Sequence, residues 1–179
     1  MNMSAKRLAV NGMLAAVCAV LGYLSLDMGN IKITFESLPI LLGAMLFGPV
    51  DGLAIGGIGT LIYQLLRYGI TVTTPLWMLP YALCGFLTGF YAKRNEFHLS
   101  DRQIMRLVAV NELLITLLNT AVIYVDSHIY GYYSQAYVFG SLVVRLGICL
   151  VRAAVFGLVL PAVIRALGKT ALIQRGNAR

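Results

Sequence analysis

The chain alternates between long apolar runs and short polar stretches. Six runs predict six membrane helices, over 8–26, 37–47, 52–68, 75–91, 104–125 and 141–166. At 1.5 Å per residue, about 20 residues of helix cross a hydrocarbon core of about 30 Å. The second run, at 11 residues, is too short to cross alone. It rises only about 16 Å, so it is expected to be tilted, extended at its ends, or a broken or re-entrant element lined by protein. It lies between Glu36 and the Gly48-Pro49 break. Gly52, Gly56, Gly57 and Gly59 crowd the third run, where small residues let helices approach closely. The expected fold is a single all-α transmembrane domain over 1–179, a compact six-helix bundle.

Composition rules out the soluble reading. Hydrophobic residues make up 59% of the chain and charged residues 12%. Soluble domains hold about 45–50% and about 25%. The first run is longer than the apolar stretch of a secretory signal, and no small-residue cleavage site clearly follows it, so it is read as a retained span. Cys18, Cys84 and Cys149 sit in separate runs without metal-ligand spacing, and are read as packing residues.

The net charge of +7 could indicate nucleic-acid binding, but the basic residues do not form one soluble patch. With the N-terminus inside, the cytoplasmic ends hold Lys6, Arg7, Lys93, Arg94, Arg102, Arg106, Arg165, Lys169, Arg175 and Arg179, ten of the 14 basic residues. Both termini are therefore expected in the cytoplasm. Three connections then face outward, at 27–34, 67–74 and 126–140. The last holds Tyr130, Tyr132, Tyr133 and Tyr137, which suit either an interfacial aromatic belt or a lid that stacks on a ligand.

Ionisable groups inside a span are unfavourable unless they face protein or a water-filled cavity. Glu112 lies roughly 20 Å below the outer end of the fifth helix, and Arg152 roughly 17 Å below the outer end of the antiparallel sixth. The matched depths predict a buried Glu112–Arg152 ion pair. Arg145 shares nearly the same face as Arg152, about 6 Å below the outer end. It is placed to meet a ligand, to snorkel, or to pair with Glu36. Asn119 lies above Glu112 on one face, and Asn111 adds a polar group beside it. Trp77 and Tyr81 could form an aromatic wall, although interface anchoring is the commoner role. Asn30, Lys32 and Thr34 could add polar contacts from the first outer connection. These residues outline a polar-lined cavity opening outward between the fifth and sixth helices.

Gly56-Gly57-Ile58-Gly59 lies inside an apolar run, without the strand–loop–helix context of a phosphate-binding loop. No nucleophile–base–acid arrangement can be defended, so the chain is not read as an enzyme. No catalytic cofactor or metal is expected. The chain also lacks the two similar halves of many secondary transporters, so the energy for uptake is expected from another subunit.

The stretch Ile33–Gly52, ITFESLPILLGAMLFGPVDG, resembles the second segment and following turn of the substrate-binding S component of energy-coupling factor (ECF) vitamin transporters. The glycine-rich third run and Gly89-Phe90-Tyr91-Ala92-Lys93 at the end of the fourth also match its pattern. The resemblance covers essentially the whole chain. It implies a bacterial cell-membrane protein that binds a vitamin from outside. Partners are implied too: a transmembrane coupling T component and two cytoplasmic ATPases that use ATP. A small-residue AxxxA motif on the family's first helix contacts the coupling subunit, and Ala15 and Ala19 match it, with Gly12, Ala16 and Gly22 broadening the small face.

The order of expected ligands is cobalamin, then folate, then pantothenate. Folate-specific members carry an arginine before a glycine near the start of the fourth segment, where PYALCGFLTG has Cys84 before Gly85. Alternatives outside transport are a membrane scaffold or assembly protein, a channel, or, last, a lipid-acting enzyme.

Overall fold

The computed structural model describes residues 5–28 and 31–168. Seven helices are found there: α1 (Ala5–Tyr23), α2 (Ser37–Phe47), α3 (Pro49–Tyr68), α4 (Thr74–Arg94), α5 (Asp101–Ile129), the short α6 (Gln135–Phe139) and α7 (Leu142–Gly168). Strands β1 (Leu26–Met28) and β2 (Ile31–Ile33) lie between α1 and α2. They pair antiparallel with Leu26 opposite Ile33 and Asp27 opposite Lys32.

The short second run is the hub of the bundle. Pro39, Ile40, Leu41, Gly43, Ala44 and Met45 of α2 are all buried. A helix apolar on every side belongs inside protein. Ile40 packs with Cys18, Ile55, Tyr81, Cys84 and Ile115. Leu41 and Met45 pack with Ile104, Val108, Phe156 and Leu160 on the other side. Enclosed in this way, α2 has no bilayer thickness to match. It meets α3 through one residue, Gly48, whose φ of +103° suits glycine. Pro49 then starts α3, where its missing N–H is harmless.

Glycines bring three helices into backbone contact. A Cβ on Gly52 would collide with the Gly85 carbonyl of α4, and one on Gly56 with the Tyr81 carbonyl. A Cβ on Gly59 would meet Cys18 of α1 at 2.7 Å. Gly57 is different, since its Cβ would meet only Ala82, at 3.8 Å.

The connection after α5 is more ordered than the hydropathy pattern suggests. Ser127 donates to the Tyr124 carbonyl, and His128 bonds to the same oxygen at 2.8 Å. These polar side chains bond back onto their own helix, and α5 continues to Ile129, past the end of its apolar run.

Four helical stretches are long and apolar enough to cross a membrane: α1, α3, α5 and 135–167. Their outer faces are bare hydrocarbon. Leu66, Leu150 and Leu158 are 68%, 73% and 71% exposed. Apolar surface on this scale is stable against lipid and not against water. The chain is a multi-pass membrane protein.

Candidate functional site

A cavity of about 640 Å³ opens at the end of the bundle that carries the β1–β2, α3–α4 and α5–α7 connections. Its floor is polar. Ser37, the first residue of α2, donates to Glu112 Oε1 at 2.6 Å. Arg152 Nη2 lies 2.7 Å from Glu112 Oε2 and donates to Ser37 Oγ at 2.8 Å. Glu112 is 0% exposed and Arg152 8%. The two charges thus compensate each other. The Arg152 guanidinium also lies 6.0 Å from the Phe156 ring centre.

Above the floor the walls are aromatic and amide-bearing. Helix α3 brings Tyr63, Gln64 and Tyr68, and α4 brings Trp77 and Tyr81. Helix α5 supplies Ile115, Thr116, Asn119 and Ile123, and α7 supplies Arg145 and Ile148. Thr34 and Glu36 enter from the segment before α2, where Thr34 donates to Glu36 Oε1 at 3.1 Å. Asn119 Nδ2 donates to the Tyr81 hydroxyl at 3.2 Å, tying α5 to α4.

The mouth is organised by Asp126. Its carboxylate accepts from the Tyr132 hydroxyl and, at 3.4 Å, from Trp77 Nε1. Burial, and then the acidic partner, push the Tyr132 hydroxyl above the ordinary tyrosine range. Tyr132 and Tyr137 meet edge to face at 5.5 Å. Arg145 Nη1 donates to the Val138 carbonyl at 3.4 Å, linking α7 to α6.

The structure brings together Thr34, Trp77, Tyr81, Asn119, Tyr130, Tyr137 and Arg145, all of which line the cavity. Asn30 lies outside the described residues. Lys32 is paired with Asp27 in the hairpin, and its side chain is not described. The tyrosine cluster divides. Tyr130, Tyr132 and Tyr137 line the mouth, while Tyr133 stacks outside it against His128, ring centres 4.1 Å apart. Asn111 is absent from the cavity wall because it donates to the Leu107 carbonyl of its own helix at 2.8 Å.

Ala15 and Ala19 are each 5% exposed within the chain, and the Ala15 carbonyl lies against Gly59 of α3. The exposed small residues of α1 are Ala5, Ala9, Gly12 and Ala16. The periodicity shows two small stripes on α1, and only packing against α3 tells which is covered.

Asp126, Tyr63 and Gln64 went unmarked as cavity groups in the sequence, as did Ser37, which bonds to the cavity-lining Arg152. Ser37 is hidden because a serine opening a helix reads as a cap. A second polar cluster lies at the opposite end of the bundle. Arg7 Nε donates to Asp51 Oδ1 at 3.0 Å and Arg7 Nη2 to the Phe47 carbonyl at 2.6 Å. Asn11 also donates to Asp51. Among the described residues, no group of three or more His, Cys, Asp or Glu side chains could hold a metal ion.

Two solved structures share this fold. FolT bound with folic acid superposes with a TM-score of 0.66 at 21% identity, covering 86% of this chain and 90% of that one. The S component of a bacterial ECF transporter gives 0.64 at 22% identity, covering 91% and 95%. Among curated proteins, a UPF0397 protein of Lactobacillus delbrueckii subsp. bulgaricus is 31% identical over 117 residues, 61% of this chain and 62% of the relative. A UPF0397 protein of Lactobacillus gasseri is 30% identical over 115 residues, 62% of this chain and 60% of the relative. The matches thus span somewhat under two thirds of these relatives' length. The profile of the family described as ECF transporter, substrate-specific component, matches residues 6–173, nearly the whole chain. With the fold agreeing as well, the chain belongs to the ECF transporter substrate-specific component family.

Proposed function

We propose that the cavity is the ligand site of an ECF-type vitamin importer, and that its cargo is a flat-ringed molecule of folate size rather than cobalamin. The observation that carries this reading is the size and lining of the cavity. Its volume is about 640 Å³, and Tyr63, Tyr68, Trp77, Tyr81, Tyr130 and Tyr137 are among its walls. Cobalamin occupies on the order of 1,000 Å³ or more, whereas a folate-sized molecule of roughly 400 Å³ fits inside a pocket of this class. Pantothenate has no ring to stack on these aromatic groups. The likeness to FolT bound with folic acid supports a bundle of these dimensions enclosing such a ligand. Cys84 departs from the folate-specific pattern, and it is fully buried outside the cavity wall.

In this reading Thr34, Trp77, Tyr81, Asn119, Tyr130, Tyr137 and Arg145 touch the ligand. The mouth faces outward, and Lys6, Arg7, Lys93, Arg94, Arg102 and Arg106 mark the cytoplasmic end. Uptake then requires a T component and two ATPases. The exposed Ala9, Gly12 and Ala16 of α1 form the coupling surface, since small residues allow close helix approach in lipid.

Trp77 is the only tryptophan in the chain and lines the cavity, so its fluorescence reads occupancy. Purified protein in detergent should show saturable quenching with folic acid and none with cobalamin. Binding of cobalamin without folic acid would overturn the ligand assignment. Failure of an intact preparation to bind any vitamin would favour a membrane scaffold.

A further inference from the structure

Most buried polar side chains of the cavity wall are already engaged by protein. Thr34 donates to Glu36, Thr116 to the Glu112 carbonyl, Asn119 to the Tyr81 hydroxyl and Arg152 to Ser37. Gln64 of α3 is the exception. Among the described residues its amide meets no hydrogen-bond partner. Nor is that amide sealed away. Asn119 Oδ1 belongs to the buried atoms that lack both a partner and accessible surface, whereas neither amide atom of Gln64 does. Gln64 is 6% exposed and lines the cavity, while Leu65 and Leu66 on the outer side of α3 are exposed. The small surface that its amide keeps therefore opens on the cavity.

A glutamine within a membrane helix is unfavourable compared with an aliphatic residue unless something pairs with it. In an open cavity water supplies that partner, and a ligand that displaces the water must supply its own. The amide presents a donor and an acceptor side by side, so a neutral edge that carries both completes it. A carboxylate offers acceptors alone and leaves Oε1 unmet. Because no protein group fixes this amide, half a turn about its last bond exchanges carbonyl and NH2 with nothing opposing it.

We propose, resting on the reading of this cavity as a site for a flat-ringed vitamin, that Gln64 is a ligand contact that reads a paired donor–acceptor edge of the ring. Such an edge is a carbonyl beside an N–H, or an amino group beside a ring nitrogen. The free rotation of the amide lets it take the pair in either order. Tyr63 and Tyr68 line the cavity from the same helix, so α3 brings aromatic surface for the face of a ring and an amide for its rim.

The test measures folic acid binding and ligand-free unfolding of wild type, Gln64→Met and the exposed control Arg106→Lys. Gln64→Met keeps length and bulk and removes both halves of the amide. Affinity should fall about 10–100-fold in Gln64→Met and stay unchanged in Arg106→Lys. The ligand-free unfolding temperature should not fall, because no protein group loses a partner. The 4-amino-4-deoxy analogue of folic acid reverses the order of donor and acceptor on one ring edge. Gln64→Met should weaken its binding by the same factor to within about 3-fold. Gln64→Asn, which draws the amide back by one methylene, is a second variant and should also lose affinity. If riboflavin or biotin binds in place of folic acid, its ring carbonyl beside an N–H should show the same loss in both variants. Three results would overturn the proposal while leaving a vitamin site standing: undiminished affinity in the folded variants, a loss confined to one folate form, or a ligand-free unfolding temperature lowered by more than about 3 °C in Gln64→Met. Binding of none of the three vitamins to wild type would remove the vitamin reading and this contact with it.

Discussion

Glu112→Gln tests the buried pair at nearly constant volume. In the wild type, Glu112 Oε2 faces Arg152 Nη2 at 2.7 Å and Oε1 accepts from Ser37 at 2.6 Å. The amide can still engage Ser37, but it leaves the guanidinium charge without a counterion at 8% exposure. Breaking one side of a buried pair destabilises by about 3–5 kcal/mol. Because Arg152 borders a cavity that can admit water, the lower end applies, about 3 kcal/mol. For a chain of this size that lowers Tm by roughly 6–12 °C. Thermal unfolding in detergent, followed by Trp77 fluorescence, measures the shift. The double substitution Glu112→Gln/Arg152→Met removes both charges and should recover most of the loss, since apolar replacement of a buried pair is often close to neutral. A single variant unfolding within about 1 °C of wild type, or a double variant no more stable than the single, would refute the account of mutual charge compensation.

Other parts of the fold give contrasting expectations. Gly52→Val drives a side chain into the Gly85 carbonyl and should destabilise by about 2–3 kcal/mol or more, whereas Gly57→Ala has open space and should be neutral or stabilising by up to about 1 kcal/mol. Unfolding temperatures of the two variants check this pair. Gly12→Leu and Ala16→Leu should leave ligand binding by the isolated chain intact and reduce uptake by the assembled transporter, while Ala15→Leu should impair folding. Parallel binding and uptake assays separate these outcomes. Tyr132→Phe removes the hydroxyl that donates to Asp126 and should speed ligand release about 2–10-fold in stopped-flow measurements. The raised pKa of Tyr132 favours its neutral form in the folded protein. Its stabilising contribution is therefore complete below the usual tyrosine range near pH 10 and is lost at still higher pH. Wild type should accordingly lose stability relative to Tyr132→Phe only on the alkaline side.

Hydropathy located six of the seven helices among the described residues and missed the short α6, because apolar runs in lipid must become helix to satisfy their own backbone, whereas a five-residue turn carries no such run. Pairing Glu112 with Arg152 needed only helix rise and the rarity of unpaired charge. The β1–β2 hairpin was not legible, since 27–34 mixes polar and apolar residues without a clear alternation. The central position of α2 was not legible either. A short apolar run states that it is buried, but not whether lipid or protein buries it. Site residues divide along the same line. Trp77, Asn119 and Arg145 could be placed by depth and face. Ser37 and Asp126 acquire their roles only from the helices packed against them, and Ala15 and Gly12 cannot be told apart before α3 covers one of them.

Helix α2 is held at both ends by groups from other helices. At its start, Ser37 is locked to Glu112 of α5 and Arg152 of α7. At its end, the Phe47 carbonyl accepts from Arg7 of α1, which also binds Asp51 of α3. A cation at a helix C-terminus is favourable in its own right. Arg152, which lines the cavity, is therefore anchored to a helix whose two ends are tied to four others, and it cannot shift alone. The mouth holds contacts of a different kind: the Tyr132 hydroxyl donates to Asp126, and Arg145 donates to the Val138 carbonyl at 3.4 Å, all within or beside the α5–α7 connection. With Arg152 anchored below, ligand arrival should rearrange that connection rather than the base of the cavity, which leaves little ordering to oppose binding there.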